Sequence, residues 1–364
     1  MIRGKTMPAP YIDRLTVERF GCVQELEMGL TPMHALIGPN DSGKSTLLRA
    51  LRLAALAASP TAVPQQSSKG QLLYDLSMPE ASTLGLQIVG AGPARLGYAV
   101  KGRAGSFQTQ LSRLQGTDWV KAEDGSLVVG GELAAKHADF ADALKAPVFL
   151  RLEPTAMRQP GGQILAHREI AFIDHRGTGL AAVLQAINSR DVDGFVRIRN
   201  RARELFPSLT TIRVPPIENN LVKLQAELDD GRIVEAGEMS DGVLYFLAYA
   251  AAQYLAPTRL MLIEEPENGL HPARIAEVVG MLRELSRTSQ VVMATHSPLV
   301  INELQGEEVS IVTRNPQNGT RVRRLSETYN YAERSKVMAN GELWLTYGSA
   351  DSEQGLFTKP EPAA

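Results

Sequence analysis

The hydrophobic pattern changes its period along the chain. Residues 12–30, IDRLTVERFGCVQELEMGL, alternate apolar and polar side chains around Gly21, which predicts a pair of strands. HALIG (34–38) is a short apolar strand that stops at glycine. From 44 to 59 the spacing becomes helical, with Leu47, Leu48 and Leu51 on one face and Arg49 and Arg52 elsewhere. Pro60 and the polar PQQSSKG (64–70) close that helix. Between about 84 and 131, short alternating runs split by turn residues (LGLQIVG, ARLGYAV, FQTQLSRL, DWVKA, SLVVGG) predict antiparallel strands, with EDG (123–125) as a hairpin turn.

APVFLRLEP (146–154) predicts a further strand, while GLAAVLQAINS and VDGFVRIRNRARELF have helical period. KLQAELDDGRIVEAGEM (223–239) predicts a hairpin closed by Asp230-Gly231. The final third then alternates helix (240–256), strand (259–263), helix (272–287), strand (290–294) and helix (297–304) with short connections. That alternation predicts parallel strands joined by crossover helices. No repeat, low-complexity tract or sustained heptad interrupts it.

Composition narrows the class. The 364 residues, 44% of them hydrophobic, suffice for a large core. The formal charge of −2 gives no global basic field for nucleic acid or an anionic membrane. The single cysteine, Cys22, forms neither an internal disulfide nor a zinc knuckle, which points to a reducing, cytoplasmic setting. MIRGKTMPAP lacks the apolar segment of a signal peptide and reads as a flexible leader (1–10). GVLYFLAYAAAQYLA (242–256) is shorter than a membrane span and suits a buried helix, so a soluble protein without membrane contact is expected.

The chemistry is concentrated in a few stretches. Gly38-Pro39-Asn40-Asp41-Ser42-Gly43-Lys44-Ser45 fits G-x-x-x-x-G-K-[ST] at every fixed position, with an apolar strand before it and an amphipathic helix after it. The glycines let successive N–H groups face one anion, and the helix start adds its positive end. In such a loop the Lys44 ammonium can reach the terminal phosphates of a nucleotide and the Ser45 hydroxyl can ligate Mg²⁺. LMLIEEPENGLHP (260–272) is an apolar strand ending in two carboxylates. In a parallel sheet ligands gather at such strand ends, which makes Glu264 the candidate for holding Mg²⁺ and Glu265 the candidate for deprotonating water. VVMATHSP (291–298) places His296 after another buried-type strand, where a neutral imidazole can position a γ-phosphate, or cap the helix that Ser297-Pro298 begins. His271 reads as a helix-start residue before Pro272. In GEMSDGVLYFLAY (237–249), Ser240 is a good N-cap, Asp241 lies in the first turn, and Gly242 admits another backbone or a phosphate.

The order of these motifs resembles the ABC-type P-loop ATPases, in the RecF-like and OLD-like branch shared with SMC proteins. MSDGV stands where transporter ATPases carry Ser-Gly-Gly-Gln, IEEPENGLHP resembles the Walker B strand and D-loop, and ATHSP resembles the switch-histidine segment. The resemblance covers 11–59 and 237–304 closely and the middle loosely. It implies an α/β P-loop fold, an ABC-type head whose mainly parallel core comes from 11–59 and 237–325. A mixed, antiparallel lobe at about 60–236 is inserted between them, and a flexible tail runs over 345–364. It implies that Lys44, Ser45 and Thr46 bind phosphate and Mg²⁺, that Glu264 is the Walker B acid, Glu265 the catalytic base and His296 the switch histidine. Ser240 and Gly242 then meet the γ-phosphate in a head-to-head homodimer sandwiching two ATP molecules. Glu264 stands where Asp is usual. The glutamine that links Mg²⁺ to the inserted lobe has only Gln87 and Gln108 as candidates, and Phe20 is the one candidate for stacking adenine.

The functional expectation is a slow ATP-hydrolysing dimer switch that signals to a separate effector, a nuclease or toxin, in defence or genome maintenance. The alternatives are a RecF-like repair ATPase that grips DNA, for which Arg197/Arg201 and Arg199/Arg203 at i, i+4 spacing would supply a basic face, and an ATP-binding scaffold without turnover. A transporter subunit is disfavoured by the missing signature glutamine. The absence of a coiled coil, of a zinc hook and of room for a nuclease domain after the switch segment points the effector chemistry to a partner.

Overall fold

The computed structural model describes residues 11–58, 83–89, 95–103, 106–115, 118–121, 147–315 and 319–347. The leader, EDG, SLVVGG and the linker at 64–70 lie outside the described residues. The chain divides into two compact units, one of 1–148, 258–263 and 285–364, the other of 149–257 and 264–284.

The first unit is built on a central sheet in which Gly319–Arg324, Val309–Asn315, Met33–Ile37, Gln290–Thr295 and Leu260–Glu264 follow one another. Met33–Ile37 pairs in parallel with Gln290–Thr295 on one side and Val309–Asn315 on the other. Its five residues are all buried, as are the six of Gln290–Thr295. A parallel sheet covered on both faces selects such continuous apolar runs. The helix Lys44–Ala58 follows the first of these strands and buries Leu47, Leu48 and Leu51, the face its sequence predicts. A second, antiparallel sheet runs Val23–Gly29, Tyr11–Phe20, Thr83–Val89, Arg95–Arg103, Ser106–Gln115, Asp118–Lys121. Its first hairpin turns at Gly21 in the left-handed region.

Gln290 fastens strand to strand in this unit. Its side chain accepts from Ile12 N at 2.9 Å and donates to Ile12 O at 2.7 Å and Thr31 O at 3.1 Å. His34 is fully buried, with Nδ1 3.0 Å from the Thr31 hydroxyl and Nε2 2.9 Å from the Ser310 hydroxyl. Thr31 gives its proton to the Met33 carbonyl, so Nδ1 carries the imidazole proton and Nε2 accepts from Ser310. Burial, aided by the Arg324 charge, pushes the His34 pKa down to about 3, so it is neutral.

The second unit packs the helices Leu180–Arg190, Val192–Leu205, Asp241–Ala252 and Pro272–Leu285 with a three-stranded antiparallel sheet, Leu209–Arg213, Gln225–Leu228 and Ile233–Glu235. Asp191 caps Val192–Leu205 by accepting from Gly194 N at 2.8 Å. Phe195, Ile198 and Ala202 form that helix's buried stripe. In Asp241–Ala252 every residue from Gly242 onward is buried, which accounts for its apolar composition. No helix among the described residues is long and apolar enough to cross a membrane.

Several boundaries differ from the sequence pattern. The strand expected over 146–154 is only Val148–Leu150, because Pro154 starts a one-turn helix, Pro154–Met157. The helix expected to reach 256 ends at Ala252, and the chain tightens into turns through Leu255. The expected tail begins too early: the helix Asn340–Tyr347 takes in 345–347 and buries Leu343 and Trp344. Phe20 is 5% exposed in the core, so it is not displayed to stack an adenine. The side chains of Gln87 and Gln108 lie outside what is described.

Candidate functional site

The phosphate loop lies between Ile37 and Lys44 in the first unit. Two residues give it its curl, Gly43 at φ 106° and Asp41 at φ 63°. A non-glycine residue in that region carries local strain. Gly43 is fixed by space as well: a Cβ there would stand 2.5 Å from Thr320 Oγ1 and 3.0 Å from Cys22 Sγ. A Cβ at Gly38 would run into the Val312 carbonyl. The Thr320 hydroxyl donates to Ser42 O at 3.0 Å, so the hairpin of Val309–Asn315 and Gly319–Arg324 buttresses the loop from outside its own sequence. Lys44 is 5% exposed, and its Nζ donates to Gly38 O and Pro39 O, each at 2.8 Å. The ammonium is thus folded over the loop, with Ser45 and Thr46 beside it in the first helical turn. The Ser42 hydroxyl is buried with no hydrogen-bond partner among the described residues. On the rim, Arg314 donates to Asp41 Oδ2 at 2.7 Å. Pro39 and Asn40 are exposed.

The pairing of Thr295 with Ile37 brings the chain out of both strands at the same end of the sheet. His296 therefore leaves the sheet on the phosphate-loop side, half-buried, just before a turn in which Ser297 N donates to Thr295 Oγ1 at 2.9 Å. His271 has the helix-start role its sequence indicates, accepting at Nδ1 from Ala273 N at 3.3 Å.

In the second unit, Glu264 closes the strand Leu260–Glu264 and is 6% exposed. Its Oε2 lies 3.5 Å from Arg151 Nε, while its Oε1 is buried without a hydrogen-bond partner among the described residues. Glu265 follows with φ 51°, a left-handed backbone that turns the chain sharply after the strand. Its Oε2 accepts from Asn268 Nδ2 at 2.6 Å, and its carbonyl accepts from Asn268 N at 3.0 Å. The side chain is half-buried and held by its own loop.

Ser240 occupies the N-cap position of Asp241–Ala252, yet its side chain makes no capping hydrogen bond, and the residue is exposed. The turn is held by other means: Arg158 Nη2 donates to Met239 O at 3.0 Å and to Asp241 Oδ1 at 2.6 Å. Gly242 is buried, and a Cβ there would stand 3.1 Å from the Gly269 carbonyl. Of the two neighbours its sequence allows, the structure supplies a backbone.

A family model described as "AAA domain, putative AbiEii toxin, Type IV TA system" matches residues 33–82 and 166–302, more than half of the chain. The chain belongs to this AAA-domain family. Among proteins similar to it is the OLD nuclease of Thermus scotoductus, 21% identical over 355 residues, which span 83% of this chain and 62% of that protein. The chain thus spans less than two thirds of that relative's length. A crystal structure of an SMC head bound to the C-winged helix domain of ScpA is similar in fold, with a TM-score of 0.54 at 15% identity over 90% of this chain and 100% of that one. The SMC head domain from Thermotoga maritima gives a TM-score of 0.46 at 14% identity, over 86% of this chain and 98% of that one. The AAA-domain protein carries a phosphate loop and the mixed α/β fold with a mainly parallel core that the sequence indicates, a fold it shares with an SMC head.

The donor set fits a hard cation only with help. Among the described residues no group of three or more His, Cys, Asp or Glu could hold a metal. In the second unit Glu264 offers one buried carboxylate oxygen without a hydrogen-bond partner among the described residues. That suits Mg²⁺, which takes few protein oxygens and completes its shell with water and substrate phosphates.

Three arginines at these loops escape a sequence reading: Arg314 on Asp41, Arg151 on Glu264 and Arg158 around Ser240. Each is 80 or more residues from its partner, and no spacing rule links them. The arginines that sequence spacing does single out have other uses. Arg201 pairs with Glu277 and lies 3.5 Å from Glu284, and Arg197 is 3.3 Å from Asp191. Ion pairs within the unit thus draw on half of the basic face of that helix.

Proposed function

We propose that this AAA-domain protein is an ATP-binding and ATP-hydrolysing switch that works as a homodimer. One protomer holds the triphosphate on Gly38–Thr46, and Ser240 of a second copy meets its γ-phosphate. The observation that carries this reading is the state of Ser240, an exposed hydroxyl at a helix start that is not used to cap its own helix. A helix N-terminus with free N–H groups and an available hydroxyl suits a phosphate. Gly242, buried against Gly269, serves by letting the helix start pack closely rather than by touching phosphate itself.

Within the switch, Lys44 leaves the loop carbonyls to bind the terminal phosphates. Ser45 and Glu264 would hold Mg²⁺, which supplies charge neutralisation on the β- and γ-phosphates. Glu265 orients and deprotonates the attacking water. Its left-handed backbone and its bond to Asn268 fix the carboxylate before the substrate arrives. His296 positions the γ-phosphate as a hydrogen-bonding imidazole. The setting is cytoplasmic, and the output goes to a separate nuclease or toxin effector in defence or genome maintenance. The name of the Thermus relative supports a nuclease as that class of effector. Direct DNA binding is less favoured, because Arg197 and Arg201 are engaged inside the unit.

Steady-state turnover and light scattering test this. Glu265→Gln is expected to cut hydrolysis by about 100-fold or more while ATP stays bound and a dimer accumulates. Ser240→Arg is expected to leave ATP binding intact and block dimer formation and turnover. Wild-type turnover in Glu265→Gln would remove Glu265 as the base, and wild-type rates in Ser240→Arg would end the two-copy site. Salt-sensitive DNA binding abolished by Arg199→Glu with Arg203→Glu would move the assignment to a DNA-gripping ATPase.

A further inference from the structure

Residues 151–158, RLEPTAMR, run through the second unit and touch both of its candidate functional ends. At the first end, Arg151 Nε lies 3.5 Å from Glu264 Oε2. The backbone is pinned there, since Arg151 N donates to His175 O at 2.8 Å and Glu153 N donates to Arg176 O at 3.0 Å. In the middle, Leu152 O accepts from the Tyr245 hydroxyl at 3.2 Å, which ties the segment to the helix that Ser240 begins. The one-turn helix Pro154–Met157 then buries Ala156 and Met157. At the far end, Arg158 grips Met239 O and Asp241 Oδ1, the two residues on either side of Ser240.

The two arginines act on different groups for related reasons. A guanidinium is planar and permanently charged, and it presents several donors in a fixed fork. Arg158 uses the two N–H bonds of its Nη2 to bridge a backbone carbonyl and a carboxylate, which sets the path of the turn between them. Asp241 is half exposed, so the pair adds little stability, and its effect is geometric. Arg151 approaches only one oxygen of a buried carboxylate and leaves the other without a partner. Charge on Oε2 is thereby balanced while Oε1 remains available to a cation. A buried carboxylate stripped of its counter-charge is costly and loses its fixed orientation.

We propose that Arg151 and Arg158 are positioning residues, and that the 151–158 strap holds Glu264 and the Ser240 turn in one fixed arrangement within the unit. The proposal rests on the preceding reading only for what Glu264 and Ser240 bind. Neither arginine is placed on the nucleotide.

The test uses the full chain with Arg158→Ala, Arg158→Lys, Arg151→Ala and Arg151→Lys, and Ser240→Arg as a control. Three quantities are measured: amide hydrogen exchange at 239–243, Mn²⁺ affinity by electron paramagnetic resonance with a non-hydrolysable ATP analogue, and ATP-driven dimerisation. Arg158→Ala is expected to speed exchange at 239–243 by about tenfold and weaken dimerisation by a similar factor, with nucleotide affinity of the monomer within about twofold of wild type. Arg151→Ala is expected to weaken Mn²⁺ binding by about five- to tenfold. The lysine variants keep the charge and should recover part of each effect, which separates positioning from a failure to fold.

Wild-type exchange at 239–243 in Arg158→Ala overturns the role of Arg158. Unchanged or tighter Mn²⁺ binding in Arg151→Ala overturns that of Arg151, the tighter case showing that it competes with the cation. If Ser240→Arg dimerises like wild type, the two-copy reading fails, and hydrogen exchange still judges the strap. If Ser240→Arg is inert while Arg158→Ala matches wild type in exchange and dimerisation, the strap alone fails.

Discussion

The phosphate loop and the Ser240 turn both lead into the start of a helix, yet they are held in different ways. The loop is contiguous in sequence and is braced by close steric contact, with Gly38 against Val312 and Gly43 against Thr320 and Cys22. The Ser240 turn is held by polar reach, through Arg158 from 82 positions upstream. Steric bracing tolerates no added atom and little motion. A guanidinium clamp on a half-exposed turn can be broken at modest cost. The difference teaches that the phosphate loop of the first unit is held rigidly, while the Ser240 turn of the second can be retuned by one side chain.

The largest expected effect falls on the loop. Lys44→Ala should lower ATP affinity at least about 100-fold, roughly 2.7 kcal/mol, in titration calorimetry. An affinity within threefold of wild type would show that the lysine is not the phosphate ligand. Next comes a paired glycine test of the two regions. Gly38→Ala should destabilise the fold by about 2–4 kcal/mol, because the Val312 carbonyl must move, whereas Gly242→Ala, with Gly269 O at 3.1 Å, should cost about 1 kcal/mol. Equal melting temperatures for the two variants would break the contrast.

A pH series isolates the first unit. His34 has a folded pKa of about 3, below its ordinary value of 6.5, so between those values the unfolded chain binds the extra proton. The stability conferred by the neutral, buried imidazole is present in full above 6.5 and is lost as pH falls below it. The contribution should be about 1.4 kcal/mol per pH unit across that window, and His34→Gln should flatten the slope by that amount in urea denaturation. An unaltered slope would place the proton uptake elsewhere. The smallest effect belongs to the exposed Arg314–Asp41 pair: Arg314→Ala should change stability by less than about 1 kcal/mol. A loss of several kcal/mol would make that arginine a structural brace of the loop.

The same contrast decides what the sequence reveals. A phosphate loop works through consecutive N–H groups, so its eight positions are readable together, and the strand and helix around it follow from apolar period. The hairpins at Gly21 and Asp230-Gly231 are likewise local. Glu264 and Glu265 are visible because a buried strand rarely ends in acids without reason. Their setting is not visible: Arg151 meets Glu264 across 113 positions, and Glu265 adopts a left-handed backbone although it is not a glycine. Ser240 shows the limit from the other side. Its residue type predicts a cap, and tertiary contacts at Met239 and Asp241 hold the turn instead. The basic spacing of 197–203 reads as a surface until Asp191, Glu277 and Glu284, two of them 70 or more residues away, claim two of its arginines.

The most direct measurement mixes two inactive chains. Lys44→Ala lacks the phosphate ligand and Ser240→Arg lacks the opposing turn, so each alone should be without turnover. Mixed in equal amounts, they can form heterodimers with one intact composite site of two, and because neither chain pairs with itself, ATPase activity should return to as much as about half of wild type. A mixture that stays at the sum of the two inactive proteins would contradict a nucleotide shared between Lys44 of one copy and Ser240 of another.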